Sequence, residues 1–141
     1  MAGVAGILFV VSVLGPSAMA GATLTPLHIT KECSEFTGDV PSFCTVTGSD
    51  FAAIPVGSKI FYFGPVIADP NFLSSRVVIR AGQGNKARGY CSVIYLDPPT
   101  DTHGVCTFWK GTGALHGFHA SVDYSIDSSG VLHWDGTYLL G

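Results

Sequence analysis

The chain has 141 residues, 47% hydrophobic and 12% charged, a balance that excludes disorder and supports one domain with a sizeable core but not two. Its net charge is −3, and Lys59, Arg76, Arg80, Lys86, Arg88 and Lys110 are scattered along it without forming a basic run. That distribution argues against a nucleic-acid partner.

Residues 3–14 are an unbroken run of small and apolar side chains, interrupted at Pro16 and Ser17 and followed by Ala18, Met19 and Ala20. This is the pattern of a signal peptide over residues 1–20 with an A-x-A cleavage site. At about a dozen residues the run is too short to cross a hydrocarbon core of roughly 30 Å as a helix. No second apolar segment of that kind follows, so residues 21–141 are expected to form one exported domain, secreted or periplasmic, with no membrane span.

The exported part holds Cys33, Cys44, Cys91 and Cys106, and an even count in an oxidising compartment predicts disulfides. Three connectivities are open. Cys33 and Cys44 are close in sequence, and Cys91 and Cys106 fall in one expected hairpin, which favours two local bridges. Each contributes around 3 kcal/mol on the loop-entropy estimate. The absence of C-x-x-C spacing argues against zinc.

After Lys31 the hydrophobic pattern has a period of two and is broken regularly by Gly, Pro, Asp and Asn. The chain is therefore all-β. Strands are expected over residues 43–49, 59–64, 75–80, 87–96, 105–110, 118–126 and 132–140, with a short extra strand near residues 24–29 as a candidate eighth. Seven or eight such strands suggest a barrel or a sandwich, and hairpins in series imply an up-and-down meander.

The clearest strand places Phe118, Ala120, Val122, Tyr124 and Ile126 on one, buried face and His119, Ser121, Asp123, Ser125 and Asp127 on the other, wet face. Ser128, Ser129 and Gly130 then read as a three-residue hairpin loop with Gly130 left-handed, which pairs Asp127 with Val131. Tyr124 consequently faces Trp134, Val122 faces Gly136 and Ala120 faces Tyr138. Gly136 is expected to leave room for a bulky neighbour. The same register sets Asp123 against Asp135, an unfavourable pair. It reads either as a cation site or an acid–base carboxylate pair, or as two solvated carboxylates or salt bridges to a Lys or Arg on a neighbouring strand. The latter readings are favoured because exposed pairs interact weakly in water.

Gly82-Gln83-Gly84-Asn85 and Asp97-Pro98-Pro99-Thr100 read as turns. The glycine-rich stretch from Lys110 to Gly117 is followed by a strand pattern, whereas a phosphate-binding loop must open a helix. It is read as a tight connection. His116 and His119 point to opposite faces of a strand, and His119 and His133 are out of register, so no metal site is expected. There is no G-x-S-x-G elbow, the cysteines are engaged in bridges, and no catalytic residue can be assigned. What remains is an interior lined by Tyr62, Tyr90, Tyr124, Trp134 and Tyr138, which either holds a small ligand at the barrel mouth or simply fills the core.

The run Arg88-Gly89-Tyr90-Cys91, the segment Gly104-Val105-Cys106-Thr107-Phe108, the loop Gly111-Thr112-Gly113-Ala114-Leu115-His116-Gly117-Phe118 and the stretch His133-Trp134-Asp135-Gly136-Thr137-Tyr138 resemble the secreted bacterial branch of the allene oxide cyclase barrel-like families. The glycine loop also resembles that of plant allene oxide cyclases and dirigent proteins. The resemblance implies an eight-stranded antiparallel up-and-down β-barrel, often trimeric in the plant members and so a candidate homo-oligomer. It further implies an apolar cavity that steers a reactive intermediate through ring closure by confinement, without a cofactor. Two functions follow as expectations. One is a barrel that binds a hydrophobic small molecule and guides its cyclisation or isomerisation. The other is a non-enzymatic secreted protein whose filled barrel serves a structural or interaction role.

Overall fold

The computed structural model describes residues 23–67 and 71–141, so the signal peptide expected over residues 1–20 lies outside the described residues. Nine strands follow in chain order: β1 (Thr25–Glu32), β2 (Ser42–Ser49), β3 (Lys59–Tyr62), β4 (Val66–Ile67), β5 (Phe72–Arg80), β6 (Lys86–Ile94), β7 (His103–Thr112), β8 (Phe118–Ile126) and β9 (Leu132–Leu140). All pairings are antiparallel, β1 pairs with β9, and β3 pairs with β5, which closes an eight-stranded up-and-down barrel. Among the described residues no helix is long and apolar enough to cross a membrane.

The ninth strand is a continuation. β3 lies against residues 77–80 of β5 and β4 against residues 72–73, so the two form one stave. The strand expected over residues 59–64 is broken before Pro65, which has no N–H to give a ladder. Phe63 and Gly64 donate instead to Ser75 Oγ at 3.0 and 2.7 Å.

The larger departure is at the other end of the chain. The short strand expected over residues 24–29 is in fact an eight-residue stave that pairs with both β2 and β9. Leu27, Ile29 and Lys31 point inward from it. The apolar alternation stops at Ile29 because the next inward residue is a lysine, which is why hydropathy alone undercounts the strand.

The β8–β9 hairpin has the expected register throughout, with Tyr124 facing Trp134, Val122 facing Gly136 and Ala120 facing Tyr138. Asp127 donates its N–H to the Val131 carbonyl at 3.0 Å, and Gly130 takes φ +81°. The reason for Gly136 differs from the expected one. A Cβ there would run into the Ser121 carbonyl and the Val122 Cα, so the neighbouring strand's backbone, not an aromatic ring, demands glycine.

Disulfides join Cys33 to Cys44 and Cys91 to Cys106, the latter pair directly opposed on β6 and β7. The glycine-rich stretch carries β7 to Thr112 and then makes a single 3-10 turn, Gly113–Leu115, which drops Leu115 into the core. Thr112 Oγ1 donates to the Gly84 carbonyl at 2.8 Å and the Ala114 N–H donates to Asn85 Oδ1 at 2.9 Å, so the stretch is tied to the β5–β6 turn.

One end of the bore, the base, is plugged. Phe51 and Ile54 fold in from the β2–β3 connection, and Phe51 stacks on Tyr138 with ring centroids 4.3 Å apart and on Phe118 at 5.7 Å. Phe108 and Trp134, 5.4 Å apart, continue the packing toward the middle. Because Gly136 sits between these layers against rigid backbone, Gly136→Ala is expected to lower unfolding free energy by about 1–3 kcal/mol in urea denaturation, the range for overpacking a well-filled site.

Candidate functional site

At the opposite end, the mouth, β1, β6 and β8 finish and β2, β7 and β9 begin. A pocket of about 170 Å³ opens there. The Cys33–Cys44 disulfide and Phe36 form one side, Tyr62, Tyr95 and Tyr124 another, and Ile126 and Leu132 the third. Phe36 meets Tyr62 edge-on at 5.2 Å and Tyr95 meets Tyr124 edge-on at 6.1 Å, which keeps the wall of rings upright.

Behind that wall lies Lys31, 2% exposed. Its Nζ donates to Tyr62 Oη at 2.5 Å and stands 4.1, 4.7 and 5.2 Å from the ring centroids of Trp134, Tyr124 and Tyr62. Among the described residues no carboxylate pairs with it. A charged amine in such a place loses most of its hydration, and burial holds Lys31 well below the usual lysine pKa. The faces of three rings offset part of that cost when the amine is protonated. Burial also raises the phenols of Tyr62, Tyr95 and Tyr124, each helped or opposed by its phenolic neighbours, so all three stay neutral donors at physiological pH.

The mouth thus offers an apolar compartment backed by one amine in hydrogen-bond contact with one phenol that stays protonated. Lys31 has the makings of a general base or nucleophile when neutral and of an electrostatic anchor when charged.

Of the five residues expected to line the interior, Tyr62 and Tyr124 line this pocket and Trp134 lies beneath it. Tyr138 belongs to the plugged base. Tyr90 does not face the interior at all. It stands on the outer wall with its hydroxyl against Ser74 Oγ, because Gly89 and Cys91 take the inward positions of β6. Lys31, Phe36, Tyr95 and Leu132 escaped sequence reasoning, whereas the sequence places Ile126 on the face it shares with Tyr124 without assigning it to a site. The available signal was the spacing of Leu27, Ile29, Lys31 and Cys33, which puts a lysine in an inward series.

A second cluster forms on the outer face of β1 and β9, where His28, His133 and Asp135 bring possible ligand atoms within 4.8 Å of one another. This trio differs from the histidine combinations weighed above. Asp135 accepts from His28 Nδ1, and His133 Nε2 lies 2.7 Å from Asp127 Oδ2. Asp123 does oppose Asp135, both carboxylates are exposed, and the side chain against Asp135 is a histidine on β1, not a Lys or Arg. Hydrogen bonds from His133 and from the Val131 and Ser129 N–H groups hold the Asp127 carboxyl below the usual aspartate range. The Asp127 and Asp135 carboxylates already have hydrogen-bond partners, and the arrangement reads as a surface hydrogen-bond network.

No family model, no curated protein and no solved structure matches the chain.

Lys31 has a consequence for stability. In the unfolded chain its pKa is about 10.4, whereas burial depresses it in the fold. Between the two values the unfolded chain binds more protons, so stability rises with pH across that window. Urea titrations from pH 6 to 9.5, below the range in which the raised tyrosines matter, should show a slope of at most about 1.4 kcal/mol per pH unit that Lys31→Met removes. Equal slopes in the two proteins would show that Lys31 titrates normally.

Proposed function

We propose that the protein is an exported barrel that binds a compact, largely apolar small molecule in the tyrosine-ringed mouth, with an oxygen of the ligand directed toward Lys31 and Tyr62. The observation that carries this reading is the coincidence of an apolar pocket with Lys31, the one buried ammonium or amine among the described residues, behind its wall. Export is supported by the signal-like residues 1–20 and by the two disulfides.

Size limits the ligand. The pocket of about 170 Å³ is close to the roughly 150 Å³ of a cavity known to hold benzene and below the roughly 300–1,000 Å³ of drug-sized sites. A single ring or a short branched chain fits, and a long acyl chain does not. The plugged base supports the non-enzymatic alternative for that half of the barrel, since Phe51, Phe118, Tyr138 and Trp134 leave it filled.

A cofactor-independent cyclase or isomerase is the second reading, in line with the resemblance to the allene oxide cyclase barrel-like families. It is favoured by the Lys31–Tyr62 contact of 2.5 Å, which sets an amine of lowered pKa beside a phenol that stays protonated. Catalysis in this reading rests on confinement, with the neutral Lys31 amine taking a proton from the bound ligand and returning it at a second carbon or oxygen, while the Tyr62 phenol donates a hydrogen bond.

Cyclohexanone, an apolar ring with one carbonyl, is a suitable probe. Ligand-observed NMR should detect binding with Kd on the order of millimolar to tens of micromolar, the range set by ligand efficiency for so few atoms. Leu132→Trp, which fills the pocket from its wall, should weaken binding at least about tenfold while Tm stays near the wild-type value. Lys31→Met should reduce the preference for cyclohexanone over cyclohexane. Absence of binding by either probe, together with native mass spectra of source-purified protein that carry no small molecule, would sink the reading.

A further inference from the structure

Six of the chain's seven basic residues share one face of the barrel's outer wall, separated from the mouth pocket by the sheet itself. Lys59 on β3, Arg76 and Arg80 on β5, Lys86 and Arg88 on β6 and Lys110 on β7 are all exposed. Lys59 faces Arg80, Arg80 faces Lys86, and Arg88 faces Lys110 across their ladders. Scatter along the chain is therefore contiguity in space, and the folded molecule carries the basic patch that the linear sequence does not show.

These four strands contain no Asp or Glu, and among the described residues no ion pair joins the six cations to a carboxylate. Like charges directly opposed on a sheet are unfavourable, and here three such pairs adjoin. Aromatic rings position the cations without neutralising them. Lys59 lies 4.2 Å from the Phe43 centroid, Arg80 4.4 Å from Phe61 and Arg76 5.9 Å from Phe63.

Between the long side chains runs a groove of about 420 Å³, lined by Val78 and Gly89 as well as by the basic groups other than Lys59, which stands beside it opposite Arg80. Trp109 enters it through a defect in the ladder. Arg88 pairs with Lys110 and Gly89 with Phe108, so Trp109 is the extra residue of a β-bulge. Phe108 keeps its inward position, while Trp109 and Lys110 both stand outward, Trp109 at 53% exposure. Glycine is needed opposite the bulge, since a Cβ on residue 89 would strike the Thr107 carbonyl and the Phe108 ring. The local backbone is thus bent so as to present an indole among uncompensated cations.

We propose that this groove binds single-stranded nucleic acid, with successive phosphates held by the arginines and lysines and one base stacked on Trp109. Positive grooves with an aromatic platform recognise strands in this manner. The Lys59–Arg80–Lys86 row crosses three neighbouring strands, a span of about 10 Å, which suits consecutive phosphodiesters better than one phosphate group. A bilayer is flat and needs aromatic tips that project past the cations, whereas Phe43, Phe61 and Phe63 lie beneath theirs. Nothing in this assignment rests on the mouth pocket.

Anisotropy of fluorescein-labelled oligo(dT) with the exported chain at about 50 mM salt is the test, alongside intrinsic tryptophan fluorescence with unlabelled oligomer. Binding is expected to weaken with salt, each contacted phosphate adding about −0.7 to the log–log slope. The Lys86→Glu/Arg88→Glu pair should lose at least about tenfold in affinity and flatten that slope. Trp109→Ala should lose roughly 5- to 100-fold with the slope unchanged, and should abolish the quenching of the exposed indole. Circular dichroism checks that these surface variants keep their fold. No binding at low salt, equal affinity for polyphosphate with no dependence on Trp109, equal affinity for AMP, or binding only to phosphatidylserine vesicles would each overturn the proposal.

Discussion

Closure of the sheet between β1 and β9 is the constraint from which the other features descend. β1 is bonded on both sides, to β2 and to β9, so its inward residues cannot turn to solvent. That is how a lysine, the residue type least at ease in a protein interior, comes to lie fully enclosed beside Trp134. In an open sheet the same side chain would snorkel past an edge into water. Here its amine is met by one phenol and three ring faces, and the fold tolerates it because those groups replace part of the lost hydration.

The bore divides into halves with different physics. Toward the base, Phe51, Phe108, Phe118, Tyr138 and Trp134 interlock, and glycine occupies the place where a strand needs backbone-to-backbone approach. Toward the mouth the rings stand edge-on around a small void, and the Cys33–Cys44 bridge holds the β1–β2 connection over it. Cohesion is concentrated in the first half, which leaves the second free to keep an open volume. The buried Trp134 Nε1 and Ser42 Oγ have no hydrogen-bond partner, each a local cost of about 1–3 kcal/mol that the packed half must offset.

Charge is segregated around the outside as sharply as polarity is between inside and outside. Asp123 and Asp135 sit on β8 and β9, the latter against His28, while the cations gather on β3, β5, β6 and β7. A formal net charge of −3 conceals this, because a sum over the chain carries no direction.

Period-two patterning, turn residues and cysteine spacing made the all-β class, the β8–β9 register and the two local bridges readable from the sequence, since each depends on residues close together in the chain. Tyr62 and Tyr124 were recognisable as interior residues for the same reason. Long-range pairing decided the rest. It lengthened the first strand past the apolar run, placed Lys31 behind the tyrosine wall, sent Tyr90 outside, and assembled cations up to fifty residues apart into one face around a bulged tryptophan. Local sequence determines which way a side chain points from its own strand; only closure of the ladders determines which other side chains it meets.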